Sequence, residues 1–406
     1  MTCQRVFTSP LLETGTPLLV VLMVWVSSFA CAASHARELL PQTDLPTPPA
    51  HVTIRGGDVT VSSQDEIDTL AGIITIEGTL TVTGDAVLDL SPLDALEEVT
   101  GNLRIQNLYA QQVLKGFEHL KNIGGDFLID ETTRLEQIDG FSSLKRIRGC
   151  FGIGRNVSLQ RIPPFPTLES VGGDFYILRN PHLQAVTGFE ALQRVGNDFA
   201  ILENSRLTTI DGFAALKHIG RDLGLLKNTS LQHAGHFSSL QSVGGHFTIA
   251  TNEVLSDLDP FASLRSVGGN FAIGVNNTLE RLDSFAALYS VGGSLFIENN
   301  DQVASLGGFG VLESVDGDVY ISNNDHLNSI PGFKALKLVG GSFFIRHNEE
   351  LEVIAGFDSL ESTHIGGPSS VSFNVALDLS KFPTNALPFL PVDECRGNLV
   401  DDWTSP

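Results

Sequence analysis

A phenylalanine returns every 24 residues through eleven turns of this chain, from Phe117, Phe141 and Phe165 to Phe309, Phe333 and Phe357. Three residues behind each stands a leucine, from Leu120 to Leu360. A strict period of this length marks a solenoid, because a unit so short can bury its apolar side only against its neighbours. Within one unit, Phe175 and Ile177 alternate with Asp174, Tyr176 and Leu178, the two-residue period of a short strand with Phe and Ile inward. The pair recurs as Phe127/Ile129, Phe151/Ile153, Phe199/Ile201 and Phe343/Ile345. The expected fold is mainly β, a right-handed parallel β-solenoid of about fourteen coils.

Three residues past the Ile stands an asparagine in successive turns: Asn156, Asn180, Asn204, Asn228, Asn252, Asn276, Asn300, Asn324 and Asn348. A column of amides at a corner can bond the bend and the next amide along, so this is expected to be an inward structural ladder. Three of these residues open N-x-S/T sequons, at Asn156, Asn228 and Asn276. Inward amides are poor glycosylation acceptors. Glycine pairs before each strand, such as Gly172-Gly173 and Gly244-Gly245, are expected to supply the positive φ of a tight corner. They precede strands rather than following them, which argues against a dinucleotide loop. Phe189, Leu192 and Val195 at i, i+3 and i+6 fit a turn of helix or an extended bend, giving the coil a thin back.

The period loosens at both ends. Val59/Val61, Leu80/Val82 and Leu103/Ile105 read as early strands and Val371/Phe373 as a last one. One solenoid domain is expected over residues 51–380, with N-cap coils 51–115, regular repeats 116–360 and a C-cap coil 361–380, followed by a tail 381–406. Residues 1–32 read as a signal peptide, with a short apolar run and Ala30-Cys31-Ala32 as its cleavage site, and 33–50 as a Pro-rich linker. The location expected is secreted, extracellular or cell-surface, with membrane contact only if the N-terminal segment is retained.

The formal charge of −22 argues against nucleic acid and anionic membranes as partners. Outside the leader only Cys150 and Cys395 remain, about ten coils and roughly 48 Å apart at one strand spacing per coil, so no disulfide is expected.

Phrases such as Leu168-Glu169-Ser170-Val171-Gly172-Gly173-Asp174-Phe175-Tyr176-Ile177-Leu178-Arg179-Asn180 resemble the receptor L-domain family of leucine-rich-repeat-like solenoids. The matching features, an x-x-N-x-x-L-x-x-I corner and a G-G-x-F-x-I strand, cover roughly residues 95–365. The resemblance implies an extracellular binding lobe. The array departs from the family in being longer and more regular than one receptor lobe and in lacking Cys-rich flanks.

On the outward side of the strands, a middle row carries Tyr176, Phe296, Tyr320 and Phe344, and the row beside it Leu178, Leu202, Leu226, Glu298 and Arg346. Exposed aromatics and leucines anchor interfaces. Cross-strand packing is the competing explanation. A third row, Asp126, Asp174, Asp198, Asp222 and Asp318, could offer oxygen ligands to calcium but is expected to cap the glycine corners or to be solvated. His233, His236 and His246 should not converge on a metal. The expectation is a non-enzymatic binding or adhesion protein without cofactor or metal, taking an unknown protein or glycan partner on the sheet face. The alternatives are a self-associating wall or matrix component and, further off, a polysaccharide-active β-helix enzyme.

Overall fold

A computed structural model describes residues 53–377 apart from Leu88, Asp259 and Pro260. The expected leader, linker and tail, and Cys395, lie outside the described residues. Each coil presents three sides. The first is a 14-stranded parallel sheet running from Val59–Ser63 to Ser369–Ser372, with four-residue strands such as Phe175–Leu178 through its regular part. Its register matches the repeat, Phe151, Phe175 and Phe199 lying side by side. The early strands fall where the alternation places them, at Val59–Ser63, Leu80–Ala86 and Leu103–Gln106.

The second side is a 13-stranded parallel sheet of short strands, among them Arg146–Ile147, Ser170–Val171 and Arg194–Val195. The segment after Phe189 is thus extended, and its extension is continuous from coil to coil. Its signal is the β-branched residue at 147, 171, 195, 219 and 243, each buried in the core. The third side pairs only in patches, such as Ala185–Val186 with Thr209–Ile210 and His233–Ala234. Among the described residues helix is limited to short pieces, such as Gln64–Asp68, Ser91–Leu93 and Ser362–His364.

The periodic phenylalanines from Phe117 to Phe357 are buried. They stack along the coil axis, Phe189 on Phe213 at 5.2 Å between centroids. The strand phenylalanines form a second stack, Phe175 on Phe199 at 4.9 Å, and the two stacks meet edge to face, Phe175 against Phe189 at 5.1 Å and 85°. Each such contact adds about 0.5–1.5 kcal/mol beyond area burial, which is how a narrow coil gains a rigid interior.

The glycine pairs are placed as expected but for a different reason. Gly172, Gly173, Gly244 and Gly245 do not have positive φ. Instead the coils touch there: a Cβ on Gly196 would stand 1.9 Å from the carbonyl oxygen of Gly172, and one on Gly220 1.8 Å from that of Gly196. Close backbone approach, rather than turn geometry, requires glycine. The left-handed corner lies elsewhere, at the residue before each ladder asparagine, from Arg155 at φ 52° to Thr251 at 59°. There it falls on non-glycine side chains, even β-branched Thr251 and Val275, at a cost on the order of 1–3 kcal/mol each. Phe373 occupies the same corner position with φ 57° and is exposed. It is not the inward strand residue expected, because the last coil is two residues longer and its strand ends at Ser372.

Candidate functional site

The nine ladder asparagines are fully buried. Asn180 shows the pattern: its Oδ1 accepts the backbone N–H of Asn156 at 3.1 Å and the Asn156 side-chain amide at 3.2 Å. Its own amide donates to the carbonyl of Ile153 at 3.0 Å and back across the corner to that of Leu178 at 3.1 Å. The clamp across the left-handed residue holds the strained corner closed. Two members escaped the sequence reading. Thr132 begins the column by donating its hydroxyl to Asn156, and Asn374 continues it past Asn348, hidden by a spacing of 26 instead of 24. The sequon amides of Asn156, Asn228 and Asn276 are enclosed in these bonds.

The aspartate row forms a second column at the other end of the strands. Asp126 Oδ1 accepts from Cys150 N, Asp174 Oδ1 from Asp198 N, Asp198 Oδ1 from Asp222 N, and Asp222 Oδ1 from His246 N. His246 Nδ1 then accepts from Asn270 N at 2.9 Å, Asn270 Oδ1 from Ser294 N, and Ser294 Oγ from Asp318 N. Because a backbone N–H can only donate, His246 is the Nε2–H tautomer. Burial raises the Asp198 carboxyl above its ordinary range, with Asp174 and Asp222 adding repulsion against the attraction of Arg221. His236 is engaged separately, Nδ1 lying 2.6 Å from Asp211 Oδ1 and holding that carboxyl down. With His246 in the column and His236 on Asp211, the three histidines serve separate places.

The outward rows of the larger sheet are less open than expected. Leu202 is 9% exposed, Leu226 3%, Phe296 5% and Glu298 0%. Rows whose members stand one strand spacing apart shelter each other, so leucines and rings flanked on both sides lose their surface. Phe296 stacks on Tyr320 at 5.6 Å, and Glu298 accepts the Ser322 hydroxyl at 2.7 Å. Between them Ala200, Ala250, Ala272 and Thr248 are closed as well. The Tyr176 ring lies over Gly152, where a Cβ would stand 2.3 Å from Cζ.

The accessible parts therefore lie on either side of this closed stretch. Tyr176 and Leu178 are half-buried at one, and Tyr320, Phe344 and Arg346 at the other. In the second group the Tyr320 and Phe344 centroids are 5.1 Å apart, and the Arg346 guanidinium sits 5.8 Å from the first ring and 5.5 Å from the second. Burial and the charges of Asp318 and Glu298 raise the Tyr320 phenol, so it is a neutral hydrogen-bond donor at ordinary pH. This arrangement offers two ring faces, a fixed cation and a hydroxyl within one patch. It can stack, donate and pair, and it suits recognition.

No helix among the described residues is long and apolar enough to cross a membrane. No family model matches the chain, and no curated protein matches it. Among solved structures, the crystal structure of a TLR13–ssRNA13 complex aligns with 80% of this chain, at 14% identity and a TM-score of 0.19. The alignment spans 59% of that structure's chain. The repeat residues themselves carry the description of this chain as a parallel β-solenoid.

Proposed function

We propose that this protein is a non-enzymatic extracellular or cell-surface binding repeat protein of receptor L-domain type, which takes a protein or glycan partner at the Tyr320–Phe344–Arg346 patch. The observation that supports the reading is the patch itself: stacked rings and an arginine, half open, beside the closed stretch of the face from Ala200 to Glu298. Aromatic and arginine side chains in such partly desolvated clusters carry most of the energy of recognition. The polar columns beside it are already committed to bonds between coils, whereas this patch keeps its rings and guanidinium partly open.

The test is the double substitution Tyr320→Ser/Phe344→Ser in the full chain, assayed on a glycan array and on intact cells. Binding by the native chain that the variant loses, with the melting temperature unchanged within about 2 °C, supports the proposal. A fall of more than roughly 5 °C would assign the rings to packing instead. Concentration-dependent oligomers in light scattering, abolished by the same variant, would replace the reading with a self-assembling structural component.

A further inference from the structure

The chain carries 47 acidic and 25 basic residues, yet one face reverses that balance. On the smaller sheet and its flanking corner, Lys145, Arg146, Arg148, Arg194 and Lys217 are all exposed. None of the five forms an ion pair among the described residues, whereas Lys121 one coil before them is held by Glu97 at 2.8 Å and Lys337 further along by Glu313 at 3.0 Å. The register places Arg146 beside Ser170, Ser170 beside Arg194 and Arg194 beside His218. The two arginines thus stand two strand spacings apart, about 9–10 Å, on a straight line along the coil axis. Across the same four coils the outward positions hold one acid, Glu169, and otherwise His218, serine, glycine and amide.

Cations left unpaired on an acidic protein keep their desolvation and side-chain entropy unspent, ready for an anion. We infer that this strip binds a linear anionic glycan, through carboxylate or sulfate groups spaced along the saccharide chain. The shape and chemistry select that class. Arginine's planar fork matches carboxylate and sulfate with paired hydrogen bonds. An acidic protein partner would need an apolar anchor at the centre, and the strip presents none because Ile147, Val171, Val195 and Ile219 all point inward. A single-stranded nucleic acid would need a row of aromatic stacking platforms, and these coils present no Phe, Tyr or Trp on this face and a single imidazole, His218. A long duplex would reach beyond the strip into the field of a chain of net charge −22. For a short glycan that distant charge is screened, the Debye length being about 8 Å at physiological salt.

The strip lies on a different sheet from the aromatic patch, so the inference stands or falls independently of it. The experiment titrates the full chain at low and moderate salt with a heparin-derived oligosaccharide, an oligogalacturonate and a neutral dextran oligosaccharide. Salt-sensitive binding of either anionic probe, and none of the neutral one, is expected, and the pair of anionic probes separates sulfate from carboxylate as the preferred group. Arg146→Gln/Arg194→Gln/Lys217→Gln should weaken it at least roughly tenfold and flatten the salt dependence. Arg146→Lys/Arg194→Lys should retain the salt-sensitive binding, and Lys337→Gln and Tyr320→Ser/Phe344→Ser should leave it unchanged. Failure of both anionic probes at low salt overturns the inference. So does equal weakening by Lys337→Gln, or tighter binding of oligo-dT or a poly-glutamate peptide that the triple variant abolishes.

Discussion

The two columns at opposite ends of the larger sheet do the same job with different materials. At one end asparagine repeats without a break from Asn156 to Asn348; at the other the sequence runs Asp126, Cys150, Asp174, Asp198, Asp222, His246, Asn270, Ser294 and Asp318. Both accept a backbone N–H from a neighbouring coil. The asparagines are fully buried, and all of the nine but Asn252 accept two bonds while donating to a carbonyl 27 residues earlier. Only a short side chain with both a carbonyl and an amide can do so: aspartate lacks the donor, and serine lacks the reach. The mixed column needs one acceptor at a partly open site, so a carboxylate, imidazole, amide, hydroxyl or thiol each suffices. Uniformity follows from the number of bonds demanded in the dark, not from the existence of a ladder.

Removing an amide from the buried column should have the largest effect. Asn228→Ala strands the N–H of Asn204 and the carbonyl of Ile201, both bonded to Asn228 at 3.1 and 2.8 Å. A loss of about 3–5 kcal/mol is expected, read by urea denaturation, since each buried orphan costs roughly 1–3 kcal/mol. A loss under about 1 kcal/mol would show that the two columns are equivalent after all.

In the mixed column a change of acceptor should be tolerated, and at Asp198 it should help. Burial raises that carboxyl, so its folded form disfavours the charge. Its contribution is favourable below the ordinary carboxylate range and turns into a cost as pH rises through the raised value. Asp198→Asn keeps an acceptor for Asp222 N and removes the charge, for a gain at pH 7 that fades as the pH falls into the ordinary carboxylate range. Thermal melts at pH 7 and within that range decide it; an equal gain at both would rule out the charge as the cause. His246→Asn should have the smallest effect, less than about 0.5 kcal/mol at pH 7.5, because Asn270 already serves one rung along. A large loss would mean that the imidazole does more than accept one bond.

The architecture was legible in the sequence because the period is strict and every Phe, Ile and Leu that carries it is buried. The asparagine column was legible for the same reason. Asn374 was not, since its spacing breaks the period where the last coil lengthens. The second sheet was obscured because each of its strands is about two residues long, below the length at which alternation shows. The reason for the glycines was misread because sequence alone does not separate positive φ from a neighbouring carbonyl that leaves no room for a Cβ. The candidate site was half legible: the rows were placed correctly, but how far Leu202, Leu226 and Phe296 shield one another depends on side-chain packing across coils. The mixed column was seen only in part, as the row Asp126, Asp174, Asp198, Asp222 and Asp318; Cys150, His246, Asn270 and Ser294 were missed because the residue type changes there.

The two columns also run in opposite senses. In the asparagine column a coil donates forward, as Asn156 N does to Asn180; in the mixed column it donates backward, as Cys150 N does to Asp126. Each regular coil therefore gives one backbone N–H bond and receives one at both ends of its strand. A whole coil can be deleted or duplicated and the exchange still closes, whereas a single residue inserted in a strand leaves both ends unmatched. Growth of this molecule is quantised: its length can drift in steps of one coil while its cross-section stays fixed.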